Sequence, residues 1–297
     1  MSHDHGHTDR SSKNMKRLAI VLAFTSVYMI AEVVGGIATG SLALLADAGH
    51  MLTDVGGLAL ALVAMKFAAK PASPEKTYGY YRVEILAALT NAVVLIGISI
   101  YILVEAYQRF RHPPEVQSKS MIVVAAIGLV VNLAGVNVLK AGSEESLNMK
   151  GAYFEVISDL LTSIGVIVAG VIMLATGWYL ADPILSAGIG LFIFPRTWKL
   201  MKEAVGVLLE GTPSDVNLTA LRQSMGEVPG VAGVHDLHVW ALTSNVNAMS
   251  AHVVVAAGAA YEDVLAAVNE HVRTSFKIGH VTIQVEPKAC SVGKVHV

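Results

Sequence analysis

The chain has 297 residues, 54% of them hydrophobic and only 15% charged, with a mean hydropathy of +0.58, and this excludes a soluble domain of its size. A formal net charge of −2 gives no grip on nucleic acid or on a strongly charged partner. One cysteine, Cys290, excludes an internal disulfide and fits a reduced compartment for the C-terminal part.

The opening MSHDHGHTDRSSKNMKR sets His3, His5 and His7 in a polar, metal-collecting tract, expected to be a disordered tail over residues 1–15. Its basic residues precede an apolar run with no small-residue cleavage site, so the run is expected to be retained as a first span. Six apolar stretches lie at 16–36, 42–67, 83–107, 120–139, 152–176 and 183–201. About 20 residues at about 1.5 Å each cross a hydrocarbon core of about 30 Å. Each stretch is therefore predicted to span the membrane, together forming an all-α six-helix transmembrane bundle over residues 16–208.

Lysines and arginines near the span ends gather on one side, among them Lys16, Arg17, Lys66, Lys70, Arg82, Lys140, Lys150 and Arg196. The other side has Arg109, Arg111 and Lys119. By the positive-inside rule both termini are cytoplasmic, in a multi-pass inner-membrane protein.

After Glu210 the pattern changes. GTPSDVNLTALRQSMGEVPG combines turn and cap residues with helical spacing and a Pro-Gly stop. VHDLHVWALTS and NAMSAHVVVA are β-rich runs separated by a short Asn-containing turn, which predicts a hairpin. YEDVLAAVNEHVRTSF is helical by period and HVTIQVEP alternates like a strand. Residues 209–297 are thus expected to form an αββαβ domain of the α+β class, with helices on one face of a sheet.

Ionisable residues inside the spans carry the chemistry. In LLADAGHMLTDVGG, Asp47, His50 and Asp54 follow one another at spacings of three and four, within an arc of about 60° on a helix. In AYFEVISDLLTS, Glu155 and Asp159 are four apart and share a face. Helix bundles build metal sites from such pairs. A lone membrane Asp, such as Asp47, also serves as a structural hydrogen-bonding group. Two pairs together are harder to explain structurally, because each charge at mid-bilayer costs at least about 2.5–3.5 kcal/mol. Hence His50, Asp54, Glu155 and Asp159 are the candidate transport site, with Asp47 as an accessory.

With neutral imidazole and three carboxylates the empty site holds about three negative charges, which a low-dielectric interior neutralises with protons. Metal and protons then compete for the same atoms, and alternating access makes that competition an antiport. Imidazole with carboxylates suits Zn²⁺ and tolerates Co²⁺ or Cd²⁺, whereas Mg²⁺ prefers oxygen alone.

HMLTD in the second span, EVISD in the fifth, YGYYRVEILAALTN entering the third, and the C-terminal GVHDLHVWALTS and HVTIQVE resemble the cation diffusion facilitator family, in its bacterial zinc/cobalt/cadmium efflux branch. The resemblance covers nearly the whole chain. It implies a homodimeric, proton-coupled exporter of divalent cations with a ferredoxin-like, metallochaperone-like cytoplasmic domain. It also places His50 with Asp54, and Glu155 with Asp159, on the family's two ligand pairs. Many zinc members are similar to one another in having His where this chain has Glu155. Some also bind metal between the second and third helices; AKPASPEKTYGYYR offers no His, so no metal is expected there.

Nine of the eleven histidines fall in the segments assigned to the cytoplasm, which points to metal handling there as well. His235 and His252 are expected to oppose each other on the hairpin, close enough for one ion to bridge. The resemblance adds Glu286, and more loosely His280 or Gln284, with His238 as an accessory and Cys290 nearby. His271 is read as a solvated helix residue. A membrane metalloenzyme is disfavoured by the absence of HExxH and of an open coordination position. A membrane metal sensor or regulatory subunit without transport is the alternative reading, and it has no use for acidic groups at mid-membrane.

Overall fold

The structure is a computed structural model and describes residues 5–68, 70–140, 147–243 and 246–288, with side chains for these except 5–16, 54, 58, 61, 62, 64, 65, 68, 147–149 and 151. The elements run α1 (His5–Thr39), α2 (Leu42–Ala68), α3 (Arg82–Arg111), α4 (Ser118–Lys140), α5 (Leu147–Thr176), α6 (Ala181–Leu208), α7 (Leu218–Gly226), β1 (Val231–Thr243), β2 (Val246–Val255), α8 (Tyr261–Phe276) and β3 (His280–Glu286). Contacts divide the chain into two compact units, Met1–Leu60 with Thr90–Lys199, and Ala61–Leu89 with Leu200–Val297.

Every expected span falls within one of α1–α6. Among the described residues, four helical segments are long and apolar enough to cross a membrane: Arg17–Thr39, Arg82–Arg111, Ser118–Lys140 and Ala152–Thr176. These make the protein a multi-pass membrane protein. α2 and α6, at 27 and 28 residues, also exceed the roughly 20 residues a span requires. α1 starts at His5, so helix is drawn through the stretch expected to be a tail, whose side chains lie outside the described residues.

In the first unit the helices are fixed by close approach and by caps. A Cβ on Gly128 of α4 would collide with the Tyr28 hydroxyl of α1, so only glycine leaves room for that ring. Tyr28 in turn donates to Glu32 Oε1 at 2.6 Å, and both residues are buried. Fully buried Asp182, in the first turn of α6, accepts from Ser41 Oγ at 2.7 Å, Leu42 N at 2.9 Å and Ala43 N at 3.1 Å. It thereby satisfies amides that the first turn of α2 cannot pair within the helix, and its charge suits the positive end of the helix dipole. Arg109 Nη1 adds contacts to Gly40 O at 2.5 Å and Asp182 Oδ2 at 3.5 Å. The start of α2, and with it the azimuth of His50, is anchored by α6 and α3.

The second unit holds the three-stranded sheet, in the order β1-β2-β3, with β1 and β2 antiparallel and β2 and β3 parallel. Together with α7 and α8 this is the expected αββαβ order. Asn217 caps α7, its Oδ1 accepting from Ala220 N at 3.1 Å. The core joins Leu221 and Met225 of α7 to Val264, Val268 and Val272 of α8 and to Val239, Met249, Ala251, Val253, Ile283 and Val285 of the strands. Because strand residues alternate, His235, Ser250, His252, Gln284 and Glu286 belong to the opposite face of the sheet. An irregularity between His235 and His238, where Asp236 takes a left-handed φ of 50°, absorbs an extra residue and keeps both histidines on that face.

Candidate metal centres

α2 and α5 supply the first candidate centre. His50 and Asp159 are each 4% exposed, and His50 Nε2 lies 3.7 Å from Asp159 Oδ1. That is too long for a hydrogen bond, and neither atom has a hydrogen-bond partner among the described residues. Two atoms that can each offer a lone pair, an imidazole nitrogen and a carboxylate oxygen, buried side by side and unpaired, fit a shared ion. Asp54 follows His50 by one helical turn, and its side chain lies outside the described residues.

Glu155 is not drawn into this pair. Its Oε1 accepts from Arg196 Nη1 of α6 at 3.1 Å, and the charges of both groups act on His50. Arg196 was readable in sequence only as one more cation near a span end. The missed signal is a guanidinium immediately after the helix-internal Pro195.

Asp47 is 1% exposed, and neither carboxylate oxygen has a hydrogen-bond partner among the described residues. Of the remaining polar span residues, Asn132 donates to Ser163 Oγ at 3.3 Å, Glu105 accepts from Arg109 Nε at 2.9 Å, and Asn137 bonds its own helix at Leu133 O. These are bonds within or between helices rather than ligand geometry.

The second centre is on the sheet. The ladder pairs His235 with His252, whose rings meet edge-on at 5.1 Å between centroids, and it pairs Gln284 with His252. Buried Glu286 lies between the imidazoles: Oε2 is 3.0 Å from His235 Nε2 and Oε1 is 3.0 Å from His252 Nδ1. The His252 contact is close without the alignment of a hydrogen bond, leaving the nitrogen free to face an ion. One ligand atom from each of the three falls within 4.8 Å of the others, a spread that one metal ion can span. Gln284 donates to Glu286 Oε1 at 2.8 Å, the position of an outer partner that orients a ligand.

His280 is the correction here. It begins β3 opposite Ala248, six residues before Glu286, roughly 20 Å along the strand, and its ring meets Tyr78 edge-on at 5.9 Å. A strand cannot fold both residues onto one ion. His238 turns to Asp236 Oδ1 at 3.0 Å and not to the cluster. Asp236, inside HDLH, also approaches His252 Nε2 with Oδ2 at 3.5 Å. His271, expected to be solvated, is half-buried with Nε2 2.5 Å from Ser224 Oγ. Cys290, His3 and His296 lie outside the described residues, as do the side chains of His5 and His7.

Comparison with known proteins decides the family. The cation efflux transmembrane domain matches residues 18–209, and the cytoplasmic domain of cation efflux proteins matches residues 213–288. The chain belongs to the cation efflux family. That family consists of transporters and not enzymes, and the expected zinc/cobalt/cadmium branch is the one its relatives occupy. The metal cation efflux system protein CzcD of Cupriavidus metallidurans is 48% identical over 98% of this chain and 92% of its own. The cadmium, cobalt and zinc/H(+)-K(+) antiporter of Bacillus subtilis is 40% identical over 96% of this chain and 93% of its own. The zinc transporter ZitB of Escherichia coli is 40% identical over 98% of this chain and 94% of its own. A solved structure of the metal-bound C-terminal domain of the CzcD transporter matches 24% of this chain and 99% of its own at 39% identity, with a TM-score of 0.23. As a cation efflux protein of this branch, the chain is a metal-cation efflux transporter.

Proposed function

We propose that the protein exports Zn²⁺ from the cytoplasm in exchange for protons, and carries Co²⁺ and Cd²⁺ by the same route. The cargo site is His50, Asp54, Glu155 and Asp159, presented alternately to the two sides of the membrane. The observation that carries this reading is the unpaired, buried contact of His50 Nε2 with Asp159 Oδ1 at 3.7 Å. Imidazole beside carboxylates is zinc chemistry, and a buried site made mostly of carboxylates must take up a cation or protons. Relatives named as zinc transporters and as a cadmium, cobalt and zinc/H(+)-K(+) antiporter support the cargo and the counter-ion.

The organisation that goes with it has a His-bearing tail over 1–15, a six-span transport domain over 16–208 and a cytoplasmic domain from 209. Both termini are cytoplasmic, in the inner membrane of a bacterium, and the cytoplasmic domain joins two copies into a homodimer. His235, His252 and Glu286 hold a regulatory Zn²⁺ that is retained while cargo passes.

The experiment is Zn²⁺ uptake into proteoliposomes under an imposed pH gradient with K⁺ equal on both sides. Uptake should follow the gradient and vanish in Asp159→Asn. A sensor gives no flux, and flux indifferent to the gradient removes the proton coupling.

A further inference from the structure

Glu155 is the only member of the transport quartet whose described contacts tie it to a cation of the protein itself. Arg196 Nη1 donates to its Oε1 at 3.1 Å, with the Arg196 side chain 56% exposed and that of Glu155 25% exposed. By contrast, His50 and Asp159 keep their ligand atoms unpaired. Guanidinium cannot lose its proton, so it is a fixed positive charge on a tether. A carboxylate oxygen that accepts a hydrogen bond from guanidinium has less of its electron density and orientation to offer a metal. Both cations therefore draw on the same group.

We infer that Arg196 is a positioning residue of the transport cycle: it holds Glu155 when no metal is bound, and an incoming divalent cation must take Glu155 from it. This rests on the reading of Glu155 as a ligand. The exchange keeps the empty site from carrying the full charge of three carboxylates, and it weakens metal binding by the strength of the pair that metal must break. α6 is suited to this role, because Pro195 removes one backbone hydrogen bond beside Arg196 and loosens the helix where the side chain must move. The pair rests on a single contact of 3.1 Å between side chains that are not buried, so the expected effect is modest, roughly two- to fivefold in affinity.

The test is Zn²⁺ titration by calorimetry of the full-length protein in detergent, with H235A and E286Q present throughout to silence the sheet. R196Q is expected to bind Zn²⁺ about two- to fivefold more tightly than its parent. R196M keeps the packing stem and should do the same, which covers a glutamine variant that does not fold. R196K retains a cation and should stay near the parent. Combined with E155Q, R196Q should have a clearly smaller effect, only what the lost charge exerts on His50. A merely structural arginine would give weaker binding or none, so unchanged or weakened affinity in R196Q and R196M overturns the inference. Tightening that persists undiminished with E155Q overturns it too, since it would reflect only the field of the lost charge. If E155Q alone leaves affinity unchanged, it is the ligand reading of Glu155 that fails. If E155Q weakens binding and R196Q does not tighten it, the role of Arg196 alone is lost.

Discussion

In the membrane helices, His50 and Asp159 face each other at 3.7 Å with their ligand atoms unpaired, while Glu155 is held by Arg196. On the sheet, His235, Glu286 and His252 touch in sequence at 3.0 Å, fixed by ladder register across three strands. The residue types are nearly the same, and the difference lies in what holds them. Strand pairing sets positions through backbone hydrogen bonds that cannot slide without flipping every side chain to the other face. Two helices carrying ligands a turn apart shift past each other at lower cost. A centre fixed by a ladder is suited to retain an ion, and one shared between helices is suited to release it.

The sharpest way to break this contrast is to remove a buried ligand from the helices. His50→Ala or Asp159→Ala should lower Zn²⁺ flux in proteoliposomes more than about 100-fold, the scale expected when a ligand rather than an outer partner is lost. On the sheet, Glu286→Gln should weaken binding at the cluster by a similar factor while Zn²⁺ flux continues, measured by titration and transport on one preparation. Equal loss of flux from both would erase the distinction. Next in size is Leu221→Ala, in the core under the sheet, which should destabilise the C-terminal domain by about 2–5 kcal/mol in denaturant melts and loosen the cluster with it. Gly128→Ala should cost about 1–3 kcal/mol by forcing Tyr28 off its site, read as a lower melting temperature in detergent. The smallest effect is Asn217→Ala, which removes the α7 cap and should cost about 0.5–2 kcal/mol without touching metal affinity.

Much of this was legible in sequence wherever a short period does the work. The i,i+4 pairs on the second and fifth spans follow from helical spacing, and the facing of His235 and His252 follows from a hairpin with a short turn. Glu286 came from resemblance alone, because a parallel third strand leaves no local signal of which residue meets the hairpin histidines. His280 failed for a different reason: the strand expected over HVTIQVEP already sets it six residues from Glu286, too far for both to reach one ion. Arg196 and Asp236 were hidden because their roles depend on a side chain from another helix and on a left-handed backbone residue inside a strand. Asp182 was likewise unreadable, since nothing in ADPIL shows that its carboxylate caps a helix some 140 residues earlier.

The central claim, one imidazole and carboxylates around a divalent ion between α2 and α5, is tested most directly by X-ray absorption at the zinc edge. The sample is full-length protein in which His3, His5, His7, His235, His252 and Glu286 are replaced, loaded with one equivalent of Zn²⁺. The account predicts a single imidazole scattering shell with the remaining ligands oxygen at about 2.0–2.2 Å, and loss of that imidazole in His50→Ala. Two or more imidazoles, or a spectrum unchanged by His50→Ala, would contradict it.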